Sequence, residues 1–319
     1  MAAPDPPRDE DHWIGALVRR FPAGPRVKVG IGHDAAVVAF DGRDVVLKTD
    51  TVIDGVDFRL AACGARAAAR KAIAVTVSDL AAMAALPRAC VLSVVLPRDV
   101  TFALFDALAA GFEDAARATG CEVVGGDTSV ADAPLVLTVA AIGEPGPHGI
   151  VTRAGARPGM DLSVTGPLGG SILGRHLTFT PRVREAQVLA AHGVPAAMMD
   201  LSDGLSTDLP RLLAASGVGA ELDAAAVPVH PDVARLTDGR APLAHALHDG
   251  EDFELLLAHA PLSAATRASL AAAGVTLHRV GRVTADPGAV VLREGDRRSP
   301  LPRGGYDHLR TRASPLDAT

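Results

Sequence analysis

The sequence predicts a two-domain protein of the α/β or α+β class. The chain has 319 residues, and a globular domain typically takes about 100–200 residues. Patterns typical of strands alternate with patterns typical of helices in both halves, which indicates layers of sheet and helix. A stretch at 144–160 is rich in Pro, Gly and Arg and separates the halves. We therefore expect an N-terminal domain over 1–148 and a C-terminal domain over 149–319.

The first half is predicted to begin with a short amphipathic helix. Over 11–21, Trp13, Ile14, Leu17 and Phe21 recur at helical spacing. Alternating or continuous apolar runs bounded by turn residues then predict strands, and Ala-rich or amphipathic runs predict helices. In order, the pattern predicts strands over 35–40 and 45–48 joined by a turn at Asp41-Gly42, a helix over 65–86, a buried strand over 91–96, a helix over 101–119, a strand over 122–124, a turn at 125–127 and a strand over 135–142.

The second half follows the same alternation. A strand over 161–165 runs into a Gly-rich turn at 166–170, and a helical stretch near 183–192 leads to the segment 196–201. A helix is predicted over 207–215, with Thr207 or Asp208 as its N-cap and Pro210 in its first turn. The remaining strands are predicted over 253–258, 277–283 and 289–292.

Composition and charge narrow the classes of function. The net charge of −6 and the aromatic content of 3% speak against a nucleic-acid binder with a basic surface or base-stacking side chains. No uncharged apolar run reaches the roughly 18 residues of a membrane span, and the acidic, Pro-rich N-terminus is unlike a secretory signal. Cys63, Cys90 and Cys121 form no CxxC pair. We expect a cytoplasmic protein with neither a nucleic-acid nor a membrane partner.

Acidic residues stand in or just after apolar stretches, often beside Gly or Ser. The six are Asp34, Asp50, Asp79, Asp127, Asp200 and Asp203. A carboxylate among apolar neighbours needs a partner. Any one of them alone is explained as a turn residue or helix cap, but six together favour a shared role. Converging carboxylates are how proteins hold Mg²⁺, a hard cation that prefers oxygen ligands and substrate phosphates.

The familiar phosphate-binding and hydrolase motifs are missing from the sequence. There is no GxxxxGK[ST] loop, no GxGxxG opening a βαβ unit and no GxSxG elbow. The segment from Gly169 to Gly174 is Gly-rich, a composition found both in backbone phosphate sites and in tight turns that enter a helix, and the sequence does not favour the first over the second. Any phosphate chemistry therefore rests on the acidic motifs.

Seven short motifs follow one another along the chain. They are Gly30-Ile-Gly-His-Asp34, Thr49-Asp50-Thr51, the stretch from Lys71 to Met83, Gly125-Gly-Asp127-Thr128, the stretch from Thr152 to Gly159, the stretch from Asp200 to Leu205, and Gly250-Glu-Asp-Phe-Glu-Leu255. Taken together, these motifs resemble those of the thiamine-monophosphate kinase family, within the superfamily of aminoimidazole-ribonucleotide synthetase. The resemblance runs from about residue 11 to His308. Neighbouring members fit less well, because selenophosphate synthetase needs an N-terminal reactive Cys and the hydrogenase-maturation member a Cys-containing tail.

This resemblance implies a fold, a reaction and a set of site residues. The fold would have two domains, with the N-terminal sheets of two subunits pairing into a barrel in a homodimer, and a C-terminal α/β domain. The reaction would transfer the γ-phosphoryl group of ATP to thiamine monophosphate, with the help of several Mg²⁺ ions. The implied residues are Asp34, Thr49, Asp50, Asp79, Asp127, Asp200 and Asp203 for the metals, of which Asp50, Asp79, Asp127 and Asp203 would be catalytic; Gly126, Asp127, Arg153 and Ser202 for ATP; and Glu251 and Tyr306 for the acceptor.

Four of these candidates also have a purely local explanation. Arg153 would be a solvated linker charge, Ser202 a helix N-cap, Glu251 a surface carboxylate, and Tyr306 a residue packing the tail against the second domain. The sequence alone does not choose between these explanations and the implied roles.

Three positions depart from the family pattern. His33 stands where the family usually has Asp, and Lys48 stands where Ser or Thr usually precedes Thr49. Asp57, in Gly55-Val-Asp57-Phe58, replaces a His that contacts the substrate, so the acceptor pocket is predicted to contain Asp57. A carboxylate there would repel a phosphorylated acceptor unless it is protonated or metal-bound. Two alternatives therefore stay open: a superfamily phosphotransferase with another acceptor, or a catalytically silent nucleotide-binding protein.

Overall fold

The structure is a computed structural model that describes residues 14–15, 18–19 and 23–306. The predicted helix over 11–21 lies largely outside the described residues, and Ile14, Gly15, Val18 and Arg19 within it are helical. In the first half the elements are β1 (Val27–Val29), β2 (Ala36–Phe40), β3 (Arg43–Ile53), α1 (Leu60–Ala82), β4 (Ala85–Pro97), α2 (Phe102–Thr119), β5 (Glu122–Ala131) and β6 (Val136–Pro145).

These strands form one six-stranded sheet in the order β1-β2-β3-β6-β4-β5. All neighbours are antiparallel except β4 and β5, which run parallel and are connected through α2. The inner face of the sheet packs on α1, and Val46, Leu137 and Val139 are almost fully buried there. The outer face leaves large apolar side chains exposed, among them Val91 at 45% and Val124 at 63%.

Helix α1 is buried along most of its length. Ala68, Ile73 and Leu80 have no exposed surface, and the run of small Ala side chains lets neighbouring elements approach the helix closely. One side contacts β3, β4 and β6, and the other contacts elements of the second half of the chain. Near its start the helix is interrupted at Gly64, whose φ of 76° is in the left-handed region that favours glycine.

The second half forms a seven-stranded sheet flanked by short helices. Its elements are β7 (Asp161–Val164), α3 (Arg175–Thr178), α4 (Val183–Ala191), β8 (Ala197–Asp200), α5 (Leu205–Ser216), β9 (Gly219–Asp223), α6 (Pro242–His248), β10 (Leu255–His259), α7 (Ala264–Ala272), β11 (His278–Thr284), β12 (Val290–Glu294) and β13 (Arg297–Pro300), with 3₁₀ turns at Ser171–Leu173, Ala224–Ala226 and Pro231–Arg235. The strand order is β13-β12-β9-β11-β7-β10-β8, with only β12 and β9 parallel. The mixed α/β architecture with two sheets confirms the predicted fold class, and the exact domain boundary stays a prediction.

The predicted turn at 125–127 is wrong, because β5 continues through it. The pairing of β4 with β5 shifts register between Cys90 and Val91, so the two glycines lie at a β-bulge within the strand. A Cβ added to Gly126 would come within 2.1 Å of the carbonyl oxygen of Leu92. Gly126 is therefore required for close strand pairing, and its presence does not indicate a turn.

Other predicted elements need smaller corrections. The strand predicted as buried over 91–96 is longer, and only one face is covered, since Val94 is 8% exposed and Val91 is 45% exposed. Helix α5 begins at Leu205 after Gly204, so neither Thr207 nor Asp208 is its N-cap and Pro210 lies in its second turn. The Asp208 carboxylate nevertheless accepts the backbone N–H groups of Asp203 and Gly204 at 3.0 and 3.1 Å. It therefore satisfies free N–H groups just before the helix, as an N-cap side chain does. No described helix is both long enough and apolar enough to cross a bilayer.

Candidate active site

A cavity of about 1010 Å³ lies between the two halves of the chain. It is bounded by the turn before β2, the inner side of β3, α1, the end of β8 and the loop before β10. Eleven of the thirteen predicted site residues line it: Asp34, Thr49, Asp50, Asp57, Asp79, Arg153, Asp200, Ser202, Asp203, Glu251 and Tyr306. Gly126 and Asp127 are not among its lining residues. Motifs spread over the whole chain thus meet at one place.

Three carboxylates converge at the centre of this cavity. One oxygen each of Asp34, Asp79 and Asp200 lies within 4.8 Å of the others. Burial raises the pKa of Asp79 well above its ordinary value, with Lys48 opposing the shift and Asp200 adding to it. Burial, reinforced by the charge of Asp34, likewise raises the pKa of Asp200 to about 7, although the Ser78 hydroxyl donates to its Oδ2 at 2.5 Å. When all of its carboxylates are ionised, the cluster carries more negative charge than the side-chain cations in contact with it neutralise.

Lys48 reaches into this acidic cluster from β3. Its Nζ is 2.8 Å from Oδ2 of Asp79 and 3.2 Å from Oδ1 of Asp50. Burial favours the neutral amine, but the charges of Asp79 and Asp50 outweigh it and hold the pKa of Lys48 above the ordinary lysine value. The other oxygen of Asp50, Oδ2, is buried and has no hydrogen-bond partner among the described residues. A buried carboxylate oxygen of this kind is one that a water molecule or a cation would satisfy.

Arg153 joins the cluster from the segment that links the two halves. Its guanidinium binds Asp34 in a bidentate manner, with Nε to Oδ2 at 2.9 Å and Nη2 to Oδ1 at 3.0 Å. Burial opposes the charge of Arg153, but the adjacent Asp34 carboxylate raises its pKa above the ordinary value. Burial and the charge of Arg153 lower the pKa of His33, which accepts the Arg153 backbone N–H at 3.4 Å. Arg153 is therefore no solvated linker charge.

A second polar group surrounds the start of α5. Arg211 on that helix pairs with Asp203, which lines the cavity, and with the buried Asp208. The Ser202 carbonyl accepts the backbone N–H of Glu251 at 2.6 Å. The role of Arg211 was not predictable from the sequence, because an Arg on an amphipathic helix ordinarily points to solvent.

Lys71 and Glu251 form a buried ion pair across the two halves of the chain. The Lys71 side chain on α1 has no exposed surface, and its Nζ lies 2.6 and 2.7 Å from the two carboxylate oxygens of Glu251. The same ammonium donates to the Asp57 carbonyl at 2.6 Å. Sequence reasoning missed the role of Lys71, although a lone lysine in an apolar helix signals a buried charge that needs a partner.

The end of the cavity near Glu251 also holds Asp57 and Tyr306. The Asp57 carboxylate accepts the backbone N–H of Ile53 at 2.7 Å, which ties it to its own turn. The backbone of Tyr306 donates to the Asp203 carbonyl at 3.1 Å. Burial raises the pKa of Tyr306, and the charges of Asp57, Glu251 and Asp203 add to the shift. Tyr306 therefore faces an acidic pocket.

The side chains of Asp127 and Thr49 lie on the outer face of the first sheet, opposite the face that carries Lys48 and Asp50. The pairings Thr51–Thr138, Thr138–Ser93 and Ser93–Asp127 place Asp127 in one row with Thr51, on the outer face of the first sheet. Thr49 is exposed, and strand alternation turns its side chain to that same face, away from Lys48 and Asp50. Asp127 lies three strands from β3, or about 14 Å at ordinary strand spacing.

The outer face itself carries a shallow apolar groove. The groove measures about 360 Å³ and is lined by residues of β3, β4, β5 and β6, including Leu47, Val91, Val124 and Ile142. These four side chains are 40–63% exposed. Apolar side chains grouped in this way on one sheet face are typical of an interaction surface.

The buried His176, which feels the charge of Lys71, gives a testable pH dependence. Burial, and the charge of Lys71, lower its pKa to about 4, while its Nδ1 donates to the Ser171 carbonyl at 2.9 Å. Because the folded state disfavours the protonated ring, its stabilising contribution is complete above pH 6.5 and is lost as the pH falls towards 4.

We expect the free energy of unfolding to fall by roughly 3 kcal/mol from this group over that window. In His176→Gln the fall between pH 6.5 and 4 should be visibly smaller, as measured by denaturant unfolding. His192→Gln, which alters an exposed His at the end of α4, is the control. Parallel pH profiles for wild type and His176→Gln would contradict the assignment.

Comparison with known proteins gives consistent matches over nearly the whole chain. Residues 32–144 match the family described as AIR synthase related protein, N-terminal domain, and residues 137–293 match its C-terminal domain. The thiamine-monophosphate kinase of Rhodopirellula baltica is 40% identical over 290 residues, covering 88% of this chain and 90% of its own. That of Escherichia coli K12 is 33% identical over 315 residues, covering 89% and 93%. A solved structure of AaThiL complexed with AMPPCP and TMP superposes with a TM-score of 0.80 at 27% identity, covering 94% and 97%.

Proposed function

The chain belongs to the thiamine-monophosphate kinase family of AIR synthase related proteins, and from this premise we propose that it transfers the γ-phosphoryl group of ATP to thiamine monophosphate. The observation that carries the proposal is the single cavity in which eleven predicted site residues from both halves of the chain meet. The products are thiamine diphosphate and ADP. We place the reaction in the cytoplasm, as the sequence predicts.

Electrostatic repulsion is the main obstacle to this reaction. Two unit charges about 4 Å apart repel by roughly 4 kcal/mol at an effective dielectric constant near 20, and several such pairs meet when two phosphates approach. The acceptor phosphate is already largely ionised near neutral pH, so the reaction needs no strong general base. Positioning and charge neutralisation therefore supply most of the catalysis, by direct in-line transfer.

The donor set in the cavity fits Mg²⁺. The carboxylates of Asp34, Asp79 and Asp200 converge within 4.8 Å, and the unpartnered Oδ2 of Asp50 is buried beside them. Hard oxygen ligands of this kind suit Mg²⁺, which when bound neutralises the phosphate charges. The proposed ligands inside the cavity are Asp34, Asp50, Asp79, Asp200 and Asp203. Thr49 and Asp127, whose side chains lie on the outer face of the first sheet, are proposed as ligands from that face.

ATP and the acceptor are assigned to neighbouring parts of the cavity. Arg153 and Ser202 of the cavity are proposed to contact ATP; Arg153 would then share its guanidinium between Asp34 and the nucleotide. Gly126 and Asp127, which do not line this cavity, are proposed to contact ATP across a dimer. Asp57, Glu251 and Tyr306 are proposed to contact the acceptor. Because the Asp57 carboxylate is engaged by the Ile53 N–H, it is held towards its own turn, which lessens its conflict with the acceptor phosphate.

We also propose a homodimer in which Asp127 completes the site of the partner subunit. Asp127 lies on the outer face of the sheet, on a strand distant from Asp50, and beside the exposed apolar groove. A second copy covering this groove with its own sheet would bury the apolar side chains and bring one subunit's Asp127 towards the other's β3.

Mixing two inactive variants tests this dimer directly. Asp127→Asn and Asp50→Asn homodimers should both be inactive, whereas refolding them together should restore about a quarter of the wild-type activity, because each mixed dimer then has one intact site. A mixture that stays inactive while an affinity tag on one variant co-purifies the other would contradict the shared site. A monomeric mass in solution would overturn the dimer itself.

The function is tested by coupled ADP release from the purified protein with Mg·ATP, with and without thiamine monophosphate, and by chromatography of the product. Thiamine diphosphate that forms only when both substrates are present is the expected result. ADP release with a different phosphorylated metabolite, and none with thiamine monophosphate, would favour the alternative acceptor that Asp57 raises. Tight binding of Mg·ATP without turnover on any acceptor would favour a silent nucleotide-binding protein.

A further inference from the structure

The Lys48 ammonium occupies a position between two carboxylates of the acidic cluster. Strand alternation places Lys48 and Asp50 on the inner side of β3, and Asp79 faces them from α1. The ammonium contacts Asp79 Oδ2 at 2.8 Å and Asp50 Oδ1 at 3.2 Å, and only 22% of the Lys48 side chain is exposed. The side chain thus bridges the sheet and the helix at the place where a cation is needed.

We propose that Lys48 is a built-in substitute for one divalent cation, so that this protein binds one metal ion fewer in its cavity than its carboxylates would otherwise hold. The inference deepens the metal-assisted kinase function proposed above and rests on it. A Mg²⁺ ion that bridged the same two oxygens would lie about 2.0–2.1 Å from each. The ammonium and such an ion cannot occupy this space together.

The charges around the cluster agree with the substitution. Asp34, Asp50, Asp79 and Asp200 supply four carboxylates, while Lys48 and Arg153 are the two side-chain cations that contact them among the described residues. The formal charge of this group is therefore −2 when all four carboxylates are ionised. One divalent cation neutralises that charge. Without Lys48, the same group would need more than one divalent cation for neutralisation.

Lys48 also positions the oxygen that remains for a metal. Since the ammonium holds Oδ1 of Asp50, the buried and unpartnered Oδ2 of the same carboxylate is left available. Lys48 is therefore a positioning residue, because it acts through Asp50 and Asp79. An ion that binds here meets an Asp50 carboxylate whose orientation the ammonium already holds.

Counting bound Mn²⁺ by electron paramagnetic resonance tests the substitution without any acceptor. Lys48→Thr is expected to bind one more Mn²⁺ per subunit than the wild type, both alone and with a non-hydrolysable ATP analogue. Lys48→Arg, which keeps the charge, should retain the wild-type count. Lys28→Thr removes an exposed lysine that pairs with Asp44 and is the matched control.

A second readout follows the stability of the same variants. The thermal-unfolding midpoint of Lys48→Thr should rise with MgCl₂ by more than that of the wild type, because the ion replaces the missing ammonium. If Lys48→Thr is insoluble, Lys48→Gln carries the same expectation. Equal Mn²⁺ counts and parallel Mg²⁺ responses in wild type and variant would overturn the proposal. Since neither measurement uses thiamine monophosphate, a failure of the proposed acceptor would leave this result interpretable.

Discussion

Asp50→Asn should lower kcat for phosphoryl transfer by about 10²–10³-fold, the scale of losing one preorganised electrostatic contact in a transition state. The amide keeps the shape of the side chain but removes the charge beside Lys48 and Asp79. It also replaces the Asp50 oxygen that has no partner among the described residues. The measurement is initial-rate ADP release at saturating Mg·ATP and thiamine monophosphate.

A matched control separates this effect from a general loss of charge. Asp44→Asn lies on the same strand, β3, but its carboxylate pairs with the exposed Lys28, and it should keep nearly full activity. Circular dichroism and the unfolding midpoint should be little changed in Asp50→Asn, since the backbone pairing of β3 is not altered. A kcat within a few-fold of wild type in Asp50→Asn would remove this residue from the catalytic machinery.

Glu251→Ala is expected to have the largest effect on stability. It would leave the fully buried Lys71 ammonium with the Asp57 carbonyl as its remaining hydrogen-bond acceptor among the described residues. Breaking a buried ion pair by removing one partner costs about 3–5 kcal/mol, because the other charge stays buried without compensation. Denaturant unfolding should show a loss of this size, and the acceptor KM should rise at the same time.

The double variant Lys71→Met/Glu251→Leu separates the two effects. No charge is then left buried, so most of the stability should return, while the acceptor KM stays high because the Glu251 carboxylate is still missing. Asp114→Ala, which breaks the surface pair with Arg66, is the control and should leave the unfolding midpoint nearly unchanged. A Glu251→Ala protein as stable as wild type would show that the pair does not hold the two halves together.

Local sequence motifs predicted which residues belong to the site, but they did not predict which of these residues contact one another. Asp79 and Asp200 were recognised because a carboxylate in an apolar stretch needs a partner, and the structure places both in the central cluster. The partners themselves were not predictable from spacing. Lys71 and Glu251 are 180 positions apart and meet only because α1 packs against both halves of the chain.

The fold was predictable to a similar extent, and its errors have physical causes. Strand and helix periodicity predicted most elements, but the turn at 125–127 was inferred from two glycines whose role is close pairing with β4 at a bulge. The outward direction of Asp127 depends on strand register, which the sequence of one strand does not set. Short elements such as β9 and α6 were missed because so few residues show no clear periodicity of apolar side chains.

The Ala-rich helix α1 also determines how wide the cavity is. Where α1 ends, Ala82 belongs to the same buried cluster as Ala186 and Leu189 of the second half, so a methyl side chain lies at this contact between the halves. A larger residue in place of Ala82 would strain that packing and push the halves apart without changing the charged groups of the cavity. The spacing of the two halves and the chemistry of the cavity are therefore encoded in different residues, and each can diverge while the other is kept.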